Sequence, residues 1–281
     1  MKFAMRFVLT LVLLHFSIDA KDVSASPPLN EVRSEYFVIH TSAQAGPSPG
    51  KVLSLCEELR SELCRVWGLT DRARKWDPLC EIVVHPSAAS YLASVGPEAA
   101  QTRGCSRIEL DNGKVSRRRI DLQMDADGSL SALAHELTHV VLADRFHGKP
   151  PAHWLDEGIA TLADSRAKQL LHERDCQDAL SSGHALPLQQ LLNLEEFTSP
   201  AQMPAFYGQS LSLVSMLARQ RTPQQLIDFA VDARDSGYPF ALKKHYGINS
   251  VAELDFIWRA HAKASRHVGP SSPLLIASLR P

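Results

Sequence analysis

His135-Glu136-Leu137-Thr138-His139 sets two imidazoles four residues apart, with a carboxylate beside the first. On a helix, positions i and i+4 share one face, with Cβ atoms about 5–6 Å apart. Two imidazoles so placed can bind one zinc ion, each Zn–N bond being about 2.0–2.1 Å. Glu136 then flanks the metal without ligating it, where it can accept a proton from metal-activated water. The chain has 12 histidines, and at that density the pentapeptide arises by chance in roughly one chain in thirty. Spacing alone does not suffice, but its surroundings add weight. Leu133, Leu137, Val140 and Val141 make an apolar helix face, and burying His135, Glu136 and His139 there is costly unless something pairs them. A metal does so most simply.

Catalytic zinc takes three protein ligands and keeps a fourth position open. The best third ligand is Glu157 in His153-Trp-Leu-Asp-Glu-Gly-Ile-Ala160, with 17 residues between it and His139. A turn at Gly148-Lys-Pro-Pro151 lets a second helix fold back and present that carboxylate. Asp156 is adjacent, but successive helix positions diverge by about 100°, so only one of the two can face the metal. His147, past the end of the first helix, and His153, at the start of the second, are the alternative ligands.

The elements that must position these groups follow from the pattern. Tyr36–His40 is β-prone, Gly46–Gly50 must turn, and 51–68 repeats its apolar residues at helical spacing. Glu81–His85 reads as a buried strand. Arg107–Leu110 and Arg119–Met124 flank an Asp111-Asn-Gly-Lys114 turn, the second being either an edge strand able to pair with an extended substrate or an internal one. Asp127 or Ser129 caps the metal helix, which runs to about Phe146. His153–Leu171, Gly208–Gln220, Pro223–Ser236 and Val251–Ala264 are further helices. Strands first and helices afterwards predict an α+β fold. Arg117-Arg-Arg119 reads as a solvated turn, and Asp125-Ala-Asp127-Gly128 lacks the flanking ligands of a calcium loop.

Composition bounds the rest. With 281 residues, 44% hydrophobic and 22% charged, the chain is neither collagen-like, coiled-coil nor wholly disordered. A net charge of −1 gives no attraction to nucleic acid. Met1–Arg6 carries two positive charges before an apolar run from Phe7 to Ile18, the pattern of a secretory signal peptide and too short to cross a bilayer. Cleavage is expected after residue 20, or as late as 25. The mature protein would be secreted or periplasmic, without stable membrane insertion, and monomeric by default. Cys56, Cys64, Cys80, Cys105 and Cys176 allow at most two disulfides. Cys56 and Cys64 lie eight apart on one helix, about 12 Å by helix rise and too far to bridge each other; a partner such as Cys80 or Cys105 would be needed.

His135-Glu-Leu-Thr-His139 followed by Trp154-Leu-Asp-Glu-Gly158 resembles the gluzincins, thermolysin-like metallopeptidases, and among them the bacterial peptidase MA-like group. The early Tyr36-Phe-Val-Ile-His40 strand and the Leu186-Pro-Leu and Tyr207-Gly-Gln-Ser210 stretches are similar too. The resemblance implies a zincin-like fold with an N-terminal mixed β-sheet, the HExxH helix and a mainly α-helical C-terminal lobe. It implies Zn2+ held by His135, His139 and Glu157, Glu136 as general base, and a peptide or protein as substrate. Tyr207, placed where a helix opens after a long loop, resembles a Tyr that the family keeps and is the candidate donor to the oxyanion. The Gly-x-Met-Glu-Asn segment of large zinc aminopeptidases is absent. Thr161 stands where thermolysin-like enzymes carry an Asp supporting a zinc-bound His, leaving Asp164 and Asp144 as candidates for that support. The expected organisation is a signal peptide over 1–20, a flexible leader over 21–34, a peptidase domain over 35–265 (sheet and metal helix over 35–147, helical lobe over 148–265) and a tail over 266–281. The competing expectations are a non-catalytic zinc-stabilised envelope or binding protein that keeps the fold, and a metal-free helical domain.

Overall fold

The structure, a computed structural model, describes residues 29–42, 46–69, 75–146 and 149–265. The expected signal peptide, its cleavage sites, His147 and the tail lie outside them. No helix of the described residues is long and apolar enough to cross a membrane. The fold is α+β, with a mixed five-stranded sheet followed by helices. The chain divides into two compact units, residues 1–62 with 72–148, and residues 63–71 with 149–281.

The first unit holds β1 (Leu29–Arg33), β2 (Phe37–Ser42), most of α1 (Pro49–Val66), β3 (Cys80–His85), α2 (Ala88–Val95), β4 (Gly104–Asp111), β5 (Lys114–Gln123) and α3 (Leu133–Ala143). Strand order is β1-β2-β3-β5-β4, with β2-β3 and β3-β5 parallel and the outer pairs antiparallel. Because side chains alternate across a strand, the register sets Ile39, Ile82 and Ile120 in one row, and all three are fully buried. The opposite row holds His40, Val83, Asp121 and Cys105; α2 covers it at Cys105 through Tyr91 and Val95. The β4-β5 hairpin turns at Asn112 (φ 49°) and Gly113 (φ 76°), the left-handed pair that a two-residue hairpin loop demands.

Several expectations change here. Leu29–Arg33, assigned to a leader, is a strand pairing antiparallel with β2. Of the two readings of Arg119–Met124, the internal one holds for Arg119–Gln123, and β1 and β4 are the sheet's edges. The Arg117–Arg119 run is strand, not turn. Arg117 and Arg119 face the carboxylates of Glu81, Glu109 and Asp121, while buried Arg118 donates to Pro78 O and to Asp144. Asp127 and Ser129 do not cap α3. Asp127 accepts from Ser129 N, and Asp125 accepts from Ser131 N, so these groups close a separate turn before the helix begins. None of the five cysteines forms a disulfide.

The second unit is helical: α4 (His153–Thr161), α5 (Arg166–Ser182), α6 (Leu188–Leu191), α7 (Met203–Gln220), α8 (Pro223–Ser236), α9 (Tyr238–Tyr246) and α10 (Val251–Ser265). The expected single helix over 153–171 is broken. Ser165 caps α5 by accepting from Lys168 N, and the Gln169 amide donates to the carbonyls of Leu162 and Asp164 left open at the break. Two glycines permit close helix crossings. A Cβ on Gly158 would stand 2.5 Å from Val214 Cγ2 and 2.8 Å from Ser210 O, and one on Gly208 would stand 2.5 Å from Cys176 N.

Candidate metal centre

Helix α3 is buried nearly all round, with Leu133 and every residue from His135 to Leu142 inside. Such a helix belongs in a core, yet it carries three ionisable side chains, His135, Glu136 and His139, that a core must compensate. The imidazoles of His135 and His139 face one another with ring centroids 5.0 Å apart and planes at 72°, as the four-residue spacing requires. Glu136 is 9% exposed, and its carboxylate lies against the backbone of β4. A Cβ on Gly104 would stand 2.7 Å from Glu136 Cγ, 2.8 Å from Ala132 Cβ and 2.9 Å from Glu136 Oε1. Only a residue without a side chain leaves that room.

Helix α4 is fixed by Trp154, Leu155 and Ile159, all buried. The Trp154 indole donates to Tyr238 Oη at 2.8 Å, and the Tyr238 hydroxyl donates to Leu192 O at 3.0 Å. Gly158 lets α4 lie directly on α7. The Thr161 hydroxyl donates back to Glu157 O at 2.7 Å. His153, one turn before Glu157, brings its Nε2 to 3.8 Å from Glu157 Oε1. Its ring lies against Phe206 and Phe197, with centroids at 4.7 and 5.7 Å.

The three expected ligands come together. One nitrogen of His135, one of His139 and one carboxylate oxygen of Glu157 all lie within 4.8 Å of one another. Buried Asp156 and partly exposed His153 both lie outside this trio. Donors on a tetrahedral ion with bonds of about 2.0–2.1 Å stand roughly 3.4 Å apart. Two imidazoles and one carboxylate form the donor set of a catalytic zinc site with an open fourth position. These residues fit the metal.

The other candidates are placed elsewhere. Tyr207 is the fifth residue of α7 and does not open a helix after a loop. Its ring contacts Phe206, His172 and Phe197, with centroids at 5.4, 5.7 and 6.3 Å. Asp144 binds Arg118 at 2.5 Å, and Asp164 binds Lys168 at 3.0 Å, so both supporting candidates are engaged by cations.

A polar cluster inside the first unit was not anticipated. Fully buried Asp121 accepts from His85 Nε2 at 2.8 Å, Ser94 Oγ at 2.9 Å and Arg119 Nε at 2.7 Å. Burial pushes the Asp121 carboxyl up, but the hydrogen bonds from Arg119, His85 and Ser94 outweigh it and hold the group well below the usual carboxylate range. Tyr91, edge-on to His85 at 5.9 Å, donates to or accepts from Thr102 Oγ1 at 2.7 Å. Burial, reinforced by the nearby charges of Glu136 and Asp121, raises its phenol, so it stays neutral. Gly104 was likewise missed. Nothing local marks it, because the atoms it accommodates lie about thirty residues along the chain. No family model matches the chain, and neither does any curated protein.

Proposed function

We propose that this protein is an exported, zinc-dependent peptidase of the gluzincin kind, with a zincin-like fold. The observation that carries the reading is the convergence of His135, His139 and Glu157 within 4.8 Å, with the adjoining Glu136 carboxylate seated against Gly104. His135, His139 and Glu157 would hold the Zn2+. Bound there, the ion supplies Lewis-acid polarisation of a carbonyl and lowers the pKa of water.

The chain's own groups do the rest. Glu136, next to a ligand but outside the donor trio, takes a proton from the attacking water and returns it to the leaving amine nitrogen. Its seat on β4 keeps the carboxylate from swinging away, so the base is pre-positioned. Tyr207 is retained as the candidate donor to the oxyanion. A peptide substrate is favoured by β4 itself. It is one of the sheet's two edges, β1 being the other, and lies antiparallel to β5 with no further strand beyond it among the described residues. An extended peptide can add to such an edge through main-chain hydrogen bonds, and β4 is the strand that backs Glu136.

The test is a mass-spectrometric digest of a diverse peptide library by the zinc-loaded mature protein, beside its Glu136→Gln variant. Cleavage by the wild type alone supports the reading. Zinc at one per chain without cleavage by either moves the weight to a zinc-stabilised binding protein. Absence of zinc binding overturns the reading entirely.

A further inference from the structure

We propose that His153 is a positioning residue that orients the Glu157 carboxylate as a metal ligand through its Nε2–H. The inference rests on the zinc reading above and adds a residue with no place in the HExxH-plus-Glu pattern. His153 and Glu157 are four apart on α4, so they share a face. His153 Nε2 stands 3.8 Å from Glu157 Oε1, with both side chains largely shielded, at 19% and 15% exposure. The imidazole is not free to wander, because Phe206 and Phe197 lie against it at 4.7 and 5.7 Å.

The proton's position follows from burial. His153 Nδ1 is buried with no hydrogen-bond partner. A neutral imidazole carries one N–H and one lone pair, and a buried N–H without an acceptor is disfavoured more than a bare lone pair. The lone pair therefore belongs on Nδ1 and the proton on Nε2, the nitrogen that faces the carboxylate. A ligating carboxylate has two oxygens and uses one on the metal, leaving the other to accept from an outer donor. Such partners fix ligand orientation, and their loss costs about 10–100-fold in metal affinity.

The test measures the zinc Kd by competition with a chromophoric chelator, for the wild type, His153→Phe and His153→Gln. His153→Phe keeps a ring against Phe206 and Phe197 but removes the donor. His153→Gln keeps a nitrogen donor at similar reach and removes the ring. The expected result is a Kd at least tenfold weaker in His153→Phe, within threefold of wild type in His153→Gln, and metal-free melting temperatures that do not follow this order. Wild-type affinity in His153→Phe overturns the assignment, as does His153→Gln binding as weakly as His153→Phe. Should His153→Phe fail to fold, His153→Met takes its place in the comparison. A wild-type protein that binds no zinc overturns the zinc reading, and this inference with it.

Discussion

Gly104 on β4 and Glu136 on α3 are separated by less than the width of a methyl group: a Cβ on Gly104 would stand 2.7 Å from Glu136 Cγ and 2.9 Å from Oε1. The strand backbone thus forms one wall of the seat for the proposed base. Gly104→Ala should push the carboxylate aside, and displacement of a catalytic group by about 1 Å can cost on the order of a hundredfold in rate. The three atoms nearest that added methyl belong to Glu136 and Ala132, so zinc affinity should stay near wild type while kcat falls at least tenfold. Steady-state kinetics beside chelator competition separate the two effects. Equal kcat in both proteins would show that Glu136 tolerates the intrusion.

Metal removal should be visible without a substrate. A ligand that binds only the native state stabilises it by about 4 kcal/mol at a thousand times its Kd, and the folded chain sets ligand atoms of His135, His139 and Glu157 within 4.8 Å of one another. Chelation should therefore lower the melting temperature by several degrees, and readdition of zinc should restore it. His135→Ala should melt at the same temperature with and without zinc. An unchanged melt of the wild type on chelation would remove zinc from the fold.

Helix α3 was legible because His135 and His139 sit in an apolar 3.6-residue pattern, and the start of α4 because a turn precedes it. The β4-β5 hairpin was legible from Asn112-Gly113. Leu29–Arg33 was not, since Asn30, Glu31 and Arg33 give an outer strand no apolar signature; pairing with β2 creates it. The break between α4 and α5 was hidden because Leu162 continues the apolar face of α4, and only Ser165 with Gln169 reveals the new start. Tyr207 was placed one turn too early in its helix, although Pro204, a first-turn residue of α7, carried the signal. The seat of Glu136 on Gly104 joins residues distant in sequence, and no local pattern encodes such a contact.

Gly158 bears on Glu157, the proposed third ligand. A Cβ there would stand 2.5 Å from Val214 Cγ2 and 2.8 Å from the Ser210 carbonyl. The second of these is backbone and cannot rotate away. Gly158→Ala should force α4 off α7 and destabilise the protein by about 1–3 kcal/mol, with zinc affinity reduced because Glu157 moves with its helix. Chemical denaturation and zinc titration test both parts. A variant of wild-type stability would mean that the crossing relaxes freely.

Tyr207, the proposed oxyanion donor, is packed among Phe197, Phe206 and His172. Tyr207→Phe retains those ring contacts and removes only the hydroxyl. If that hydroxyl donates to the oxyanion, kcat should fall at least tenfold, with KM and zinc affinity little changed. Unchanged turnover would assign Tyr207 to packing alone.

Asp121 should contribute acid sensitivity to the first unit. Its carboxyl is held below the usual range by Arg119, His85 and Ser94, against the opposing effect of burial. A depressed folded-state value means that the group's stabilisation is complete above the ordinary carboxylate pKa of about 3.9 and is lost as pH falls toward the folded value. Asp121→Asn removes that charge and should cost on the order of 2 kcal/mol at pH 7, because hydrogen bonds to a charged group are worth about 1.5–3 kcal/mol. The gap between wild type and variant should stay nearly constant from pH 7 to pH 5 and narrow below about pH 4. Denaturant midpoints at pH 7, 5 and 3 measure it directly. A gap as wide at pH 3 as at pH 7 would place the cost in packing, and a gap that widened would reverse the sign of the linkage.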